Sequence, residues 1–210
     1  NEYYQQPDGV LLPLASKGVD TGAGLERVAA TLNKVPSVYE TNEFVQIIDL
    51  INGLMQKKED RAKRIIADHL RTAVFLLADG IRPSNLDRGY VLRRVIRRAV
   101  RYGHLTGIEQ NMCSNIGRKI IEIYATRYPN LETEKTQILT ELTVEEAKLR
   151  NVIDQGLAEL KKKETIDGKE AFELFATKGM PFELTIEIAA EEGIDVSDKA
   201  QAEFEAEFEK

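Results

Sequence analysis

The residues with the clearest chemical potential lie between Arg88 and Arg101, a stretch of six arginines without one acid among them. On a helix, Arg93, Arg94, Arg97, Arg98 and Arg101 fall within an arc of about 140° at 100° per residue. Leu92, Val95, Ile96, Ala99 and Val100 take the other side and belong in a core. Six guanidinium groups repel one another unless something anionic partners them. Each offers a planar fork that suits phosphate or carboxylate. Charge alone leaves three partners open: nucleic-acid phosphate, the chain's own acidic tail, or solvent. A second candidate is Gly22-Ala23-Gly24-Leu25-Glu26-Arg27, where small residues open a helix. Backbone N–H groups there can approach a phosphate, and Arg27 stands one turn in. The segment is neither a P-loop nor a complete dinucleotide fingerprint, and Asp20 ahead of it could simply cap the helix. His69 and His104 stand apart, with His69 on an apolar face, and Cys113 has no second cysteine. No metal site is expected.

The elements that must carry these residues read as helices almost throughout. Val10-Leu11-Leu12-Pro13-Leu14 is extended and follows a Gln6-Pro7-Asp8-Gly9 turn. Helical periodicity then runs over 25–33, 43–54, 59–78, 88–102, 115–128 and 132–163, with two or three short helices after a turn at 166–168. Asp79-Gly80-Ile81-Arg82-Pro83-Ser84-Asn85 must be a loop, because Gly80 closes one helix and Pro83 prevents its continuation. Pro36-Ser37 marks a boundary. The expected fold is mainly α: a helical, bundle-like domain over 36–210, preceded by a small β or irregular piece over 1–35. The apolar side of Val10 to Leu14 is expected to lack cover.

The composition fits this. The chain has 210 residues, 42% of them hydrophobic and 30% charged, which excludes collagen-like and disordered classes; its single cysteine excludes a disulfide scaffold. A lone cysteine also points to a reducing, cytoplasmic setting. The longest apolar run, Ala73 to Ala78, is too short to span a bilayer, and Asn1-Glu2-Tyr3-Tyr4 does not read as a leader. The net charge of −6 hides a segregation. Residues 57–104 carry 13 Lys/Arg against five Asp/Glu (+8), and residues 183–210 carry ten acids against two lysines (−8). Local patches rather than the sum set the field a partner meets.

Taken in order, four blocks resemble the alanyl-tRNA synthetase family of class II aminoacyl-tRNA synthetases. Val19-Asp20-Thr21-Gly22-Ala23-Gly24-Leu25-Glu26-Arg27 is similar to the family's motif 3. Ile66-Ala67-Asp68-His69-Leu70-Arg71 with Leu77-Ala78-Asp79-Gly80 is similar to the next block. Pro83-Ser84-Asn85, Arg88-Gly89-Tyr90-Val91-Leu92-Arg93-Arg94 and Arg97-Arg98-Ala99 resemble the tRNA-recognition block. Thr177-Lys178-Gly179-Met180-Pro181-Phe182-Glu183-Leu184-Thr185 resembles a later signature.

The resemblance implies an alanine–tRNA ligase that uses ATP and magnesium, of which 1–35 would be the last piece of the catalytic core. It implies that Asp20 holds the α-ammonium of alanine, that Arg27 contacts ATP phosphates, and that Gly22 and Gly24 leave room for adenosine. It also implies that Asn85 and Glu183 read a guanine–uracil wobble pair in the tRNA acceptor stem, while Arg88, Arg93, Arg94, Arg97, Arg98 and Arg101 track its phosphates. Ala23 stands where methionine is usual, and Glu183 replaces an aspartate, which keeps the carboxylate but lengthens its reach. Motifs 1 and 2 and the zinc-bearing editing cluster do not occur in these 210 residues, so the chain alone is expected to be inactive in alanine activation. Two other readings stand beside this one: a freestanding RNA-binding helical module, and a structural domain whose arginines pair with the acidic C-terminus.

Overall fold

The computed structural model describes residues 2–19 and 21–209, leaving aside the side chain of residue 191. Within them the fold is mainly α, with ten α-helices and two small two-stranded sheets. The chain divides into two compact units, Asn1–Gln46 and Ile47–Lys210.

In the first unit, β1 (Tyr3–Gln5) and β2 (Leu11–Pro13) pair antiparallel, with Tyr4 opposite Leu12. Gly9, at φ +85°, closes the connecting turn, and Asp8 Oδ1 accepts the Val10 N–H at 3.0 Å. Val10, Leu11, Leu12 and Leu14 are all exposed, as expected for an extended segment without cover. Helix α1 (Leu25–Leu32) follows, then a 3-10 turn over Val38–Glu40, inside the same unit as Pro36. In the first turn of helix α2 (Asn42–Leu54), the ring of Phe44 meets Tyr39 edge-on at 5.2 Å.

The second unit is built on α3 (Asp60–Ala78), α4 (Asp87–Leu105), α5 (Met112–Tyr124) and α7 (Lys135–Leu160), with the four-residue α6 (Asn130–Thr133) before the last. Ile66, Leu70, Val74 and Leu77 of α3 meet Leu92, Ile96, Ala99 and Val100 of α4 in a core without solvent access. Their i, i+3, i+4 spacing is the sequence signal that produced both helices. Helices α5 and α7 cross closely at Gly117, where a Cβ would come within 2.7 Å of Leu142 Cδ1. Beyond α7 come β3 (Thr165–Ile166), α8 (Gly168–Lys178), α9 (Phe182–Glu192), β4 (Asp195–Val196) and α10 (Ala200–Phe208).

Several boundaries differ from the sequence expectation: α4 runs on to Leu105 and α5 stops at Tyr124, and three further differences are larger or have a visible cause. The long helix expected over 132–163 is interrupted at Glu134, which leaves the helical conformation between α6 and α7. The helix expected from Asn115 starts at Met112, because the buried Glu146 carboxylate accepts the N–H groups of Met112 and Cys113 at 3.2 and 2.8 Å. A carboxylate at a helix N-terminus satisfies free donors and the helix dipole together. Ile166-Asp167-Gly168 is a strand end and a helix start rather than a plain turn. Ile166 pairs in parallel with Val196, and Asp167 forms a reciprocal cap with Glu170. A two-residue parallel pair with partners thirty positions apart leaves no local pattern to read.

Candidate nucleic-acid interface

The loop between α3 and α4 is fastened at every step, and its tip carries Asn85. Gly80, at φ +84°, ends α3, and the Arg82 Nη1 donates to the carbonyls of Leu77 and Ile81 at 2.9 and 3.1 Å. Ser84 folds the next turn: its hydroxyl donates to the Leu86 carbonyl at 2.9 Å, and its N–H donates to Gly89 O at 3.1 Å. Gly89 is required here. A Cβ on it would collide with Ser84 Oγ and come within 2.5 Å of the Arg82 carbonyl oxygen.

Arg93 ties the loop to the helices. Its Nε and Nη2 donate to Glu145 Oε2 and Oε1 at 3.2 and 3.4 Å, and Nη2 also reaches Pro83 O at 3.3 Å. Its Nη1 donates to Asn85 Oδ1. Glu145 lies on α7 with its side chain only 2% exposed, and Lys148 Nζ donates to it at 3.2 Å. Asn85 itself is exposed.

The six arginines therefore do not form one uniform face. Arg88, Arg94 and Arg98 are exposed and make no ion pair among the described residues. Arg93 is bound to Glu145, and Arg101 is buried and paired with Glu187 of α9. Arg97 is half-buried, with an Nε that donates to no partner among the described residues. Burial first, and then the Arg93 charge, hold its pKa below the ordinary arginine value. Pairing with acids thus holds for two positions of the six.

Glu183 is exposed in the first turn of α9 and makes no hydrogen bond or ion pair among the described residues, so it is not joined to Asn85. It stands one helical turn from Glu187, on the same face as the residue that ties α9 to Arg101 of α4. Gly22, Gly24 and Arg27 are exposed, and a Cβ on Gly22 would meet nothing within 4 Å. Asp20 lies outside the described residues. His69 sits on α3 with Nδ1 3.6 Å from Asp68 Oδ2, and no group of three His, Cys, Asp or Glu among the described residues could hold a metal.

Sequence reasoning missed Glu145, Glu146 and Glu187, the carboxylates that neutralise Arg93, Arg150 and Arg101. Glu145 and Glu146 sit in a polar run that gives no sign of burial, and Glu187 is an exposed acid between two isoleucines whose partner lies on another helix. It also missed that Leu86, Tyr90 and Val91 are exposed beside Asn85, adding apolar and aromatic surface to the basic helix.

Helices delivering arginines and a polar loop, in a domain of this build, match a known class. The family described as "tRNA synthetases class II (A)" matches residues 1–210, and the chain belongs to it. Among curated relatives, the Alanine–tRNA ligase of Acaryochloris marina is 43% identical over 210 residues, covering 94% of this chain and 24% of its own length. That of Microcystis aeruginosa is 42% identical over 221 residues, covering 100% of this chain and 25% of its own. The Thermotoga petrophila ligase is 40% identical over 208 residues, covering 94% and 24%. The chain spans about a quarter of the length of the curated relatives it matches.

Proposed function

We propose that this chain is the part of an alanine–tRNA ligase that recognises the acceptor stem of alanine tRNA. Residues 36–210 form the recognition domain and 1–35 a piece of the catalytic core. The observation that carries the reading is the Asn85 loop, clamped by Arg93, Ser84 and Gly89 at the foot of a helix with three solvent-facing arginines. Arg88, Arg94 and Arg98 would meet phosphates and supply salt-sensitive affinity, while Asn85 and Glu183 would supply discrimination. A wobble pair exposes the guanine 2-amino group in the shallow groove, where the Glu183 carboxylate can accept from it. Arg97 and Arg101 would act behind this surface, Arg101 through its pair with Glu187.

ATP, bound with magnesium, would supply the activated phosphoryl linkage for adenylate formation. Gly22 and Gly24 would let the backbone approach it, Arg27 would face its phosphates, and Asp20 would hold the alanine ammonium. The open space around Gly22 supports such an approach. Gly22, Gly24 and Arg27 are exposed, and because motifs 1 and 2 do not occur in the 210 residues, these alone are expected not to catalyse alanine-dependent pyrophosphate exchange. No helix among the described residues is long and apolar enough to cross a membrane, and the reading places the protein in the cytoplasm.

The test is anisotropy with alanine tRNA and with the same tRNA carrying guanine–cytosine at the wobble position, over a salt series. Discrimination of about 1–3 kcal/mol, lost in Asn85→Ala or Glu183→Ala, supports the reading. Equal, salt-sensitive binding of both RNAs refutes discrimination by this chain.

A further inference from the structure

Arg93 spends all three of its guanidinium nitrogens inside the protein. Nε and Nη2 face the two oxygens of Glu145, Nη2 also holds Pro83 O, and Nη1 holds Asn85 Oδ1. A guanidinium has donors only, so the Asn85 atom that meets it must be the carbonyl oxygen. Among the described residues, the Asn85 Nδ2 donates to nothing and its side chain is exposed. Building on the function proposed for Asn85, we propose that Glu145 is a positioning residue. Through Arg93 it fixes the Asn85 amide with its –NH2 outward, so that Asn85 meets the RNA as a hydrogen-bond donor.

The physical case starts from burial. Glu145 comes from α7, 52 residues away in sequence, and its carboxylate is 2% exposed. Water cannot orient such a group, so Arg93 and Lys148 must. A buried ion pair adds little net stability compared with an apolar pair of the same shape, so its effect lies in fixing one geometry. The fork gripped by Glu145 leaves Nη1 pointing in one direction, and Asn85 Oδ1 takes it. Lysine could not replace it, because a point ammonium does not present two parallel donors plus a third at a set angle. With Oδ1 occupied, Asn85 cannot accept from a guanine 2-amino group. It can donate to uracil O2, guanine N3 or a ribose hydroxyl, and the 2-amino group falls to Glu183.

The experiment uses the 210-residue chain and acceptor-stem duplexes of alanine tRNA with the wobble pair, with guanine–cytosine, and with inosine–uracil. Wild type, Glu145→Gln, Asn85→Ala and the double variant are titrated by anisotropy. In parallel, the Asn85 side-chain amide is followed by 15N NMR without RNA. Glu145→Gln is expected to bring a discrimination of about 5- to 150-fold down to within about twofold of unity, with the salt slope unchanged. The double variant loses no more than Asn85→Ala. The NMR pair moves toward the shift of a free asparagine. Because inosine lacks the 2-amino group, the fold-loss on Asn85→Ala is expected to persist on the inosine duplex.

Three results overturn the proposal: an unmoved Asn85 amide signal in Glu145→Gln, equal weakening of all duplexes with the ratio retained, or an Asn85 contribution that vanishes with inosine. If Glu145→Gln loses helicity, Arg93→Lys carries the same comparisons with Glu145 still charge-compensated. Equal wild-type binding of the wobble and guanine–cytosine duplexes removes the function assigned to Asn85 and this proposal with it. An unmoved amide signal alongside intact discrimination removes the proposal only.

Discussion

Gly89→Ala separates what a helix prefers from what the Asn85 loop requires. Glycine inside a helix is less favourable than alanine by about 1 kcal/mol, so propensity alone predicts a gain in stability. The structure predicts a loss. A Cβ would lie 2.5 Å from the Arg82 carbonyl oxygen and 2.9 Å from Ser84 Cβ, and only backbone movement can relieve the first contact. Such crowding costs about 1–3 kcal/mol, and loss of the Ser84 N–H bond to Gly89 O adds about 1 kcal/mol. Set against the propensity gain, the net expectation is a loss of about 1–3 kcal/mol. For a chain of 210 residues that lowers Tm by about 2–12 °C. Urea unfolding should show a lower midpoint at unchanged slope, and binding should lose discrimination between wobble and guanine–cytosine duplexes before it loses salt-dependent affinity. Gly53→Ala in α2, whose Cβ would meet nothing within 4 Å, is the control and should be neutral or stabilising. A Gly89→Ala variant that gains stability and keeps discrimination would refute the argument that the loop is seated on this glycine.

Glu146→Ala strips the cap from α5 and leaves Arg150 without its carboxylate, so denaturant unfolding should show a loss of about 3–5 kcal/mol. Glu122→Ala breaks only an exposed pair with Lys119 at 3.0 Å and should cost no more than about 1 kcal/mol. Burial, and then the nearby Glu146 carboxylate, push the Cys113 thiol well above its ordinary pKa. Iodoacetamide at pH 8 should therefore label it only after unfolding, as read by mass spectrometry. Above a pH of about 8.5 the unfolded chain releases a proton that the folded chain keeps, so stability should fall as pH rises further. Arg94→Ala and Arg98→Ala should each weaken wobble and guanine–cytosine duplexes alike and reduce the salt slope by about 1, without changing the ratio.

The sequence revealed the helices because their apolar spacing is local. It revealed the α3–α4 loop because Gly80 and Pro83 are local too. What escaped it depends on partners far away along the chain. Glu146 starts α5 three residues earlier than the apolar pattern suggests, from a position 33 residues downstream of Cys113. The pairing of Ile166 with Val196 joins a segment that read as a turn to one thirty positions downstream. At the candidate site, Asn85 came only through the family resemblance, and the arginines were legible by type and spacing. Which arginines face out was not, since that depends on Glu145 and Glu187 arriving from other helices.

The arginine doublets turn this into a rule of geometry. Neighbours on a helix point 100° apart, while residues four apart nearly coincide. In the sequence Arg93-Arg94 and Arg97-Arg98, the first members therefore form one rail and the second members another, with Arg101 continuing the first. The first rail turns toward carboxylates: Arg93 to Glu145 and Arg101 to Glu187, with Arg97 half-buried between them. The second rail, Arg94 and Arg98, stays exposed. The acids on the inner rail lower the repulsion that six like charges would otherwise impose, so the outer rail can remain charged without internal partners. A duplex phosphate track can then meet arginines whose helix is already held in place from behind. Neutralising Glu187 rather than Arg98 removes a tie between α4 and α9, the helix that carries Glu183. Glu187→Gln should thus lower discrimination while leaving the salt slope as it is, the reverse of what removal of an outer arginine does.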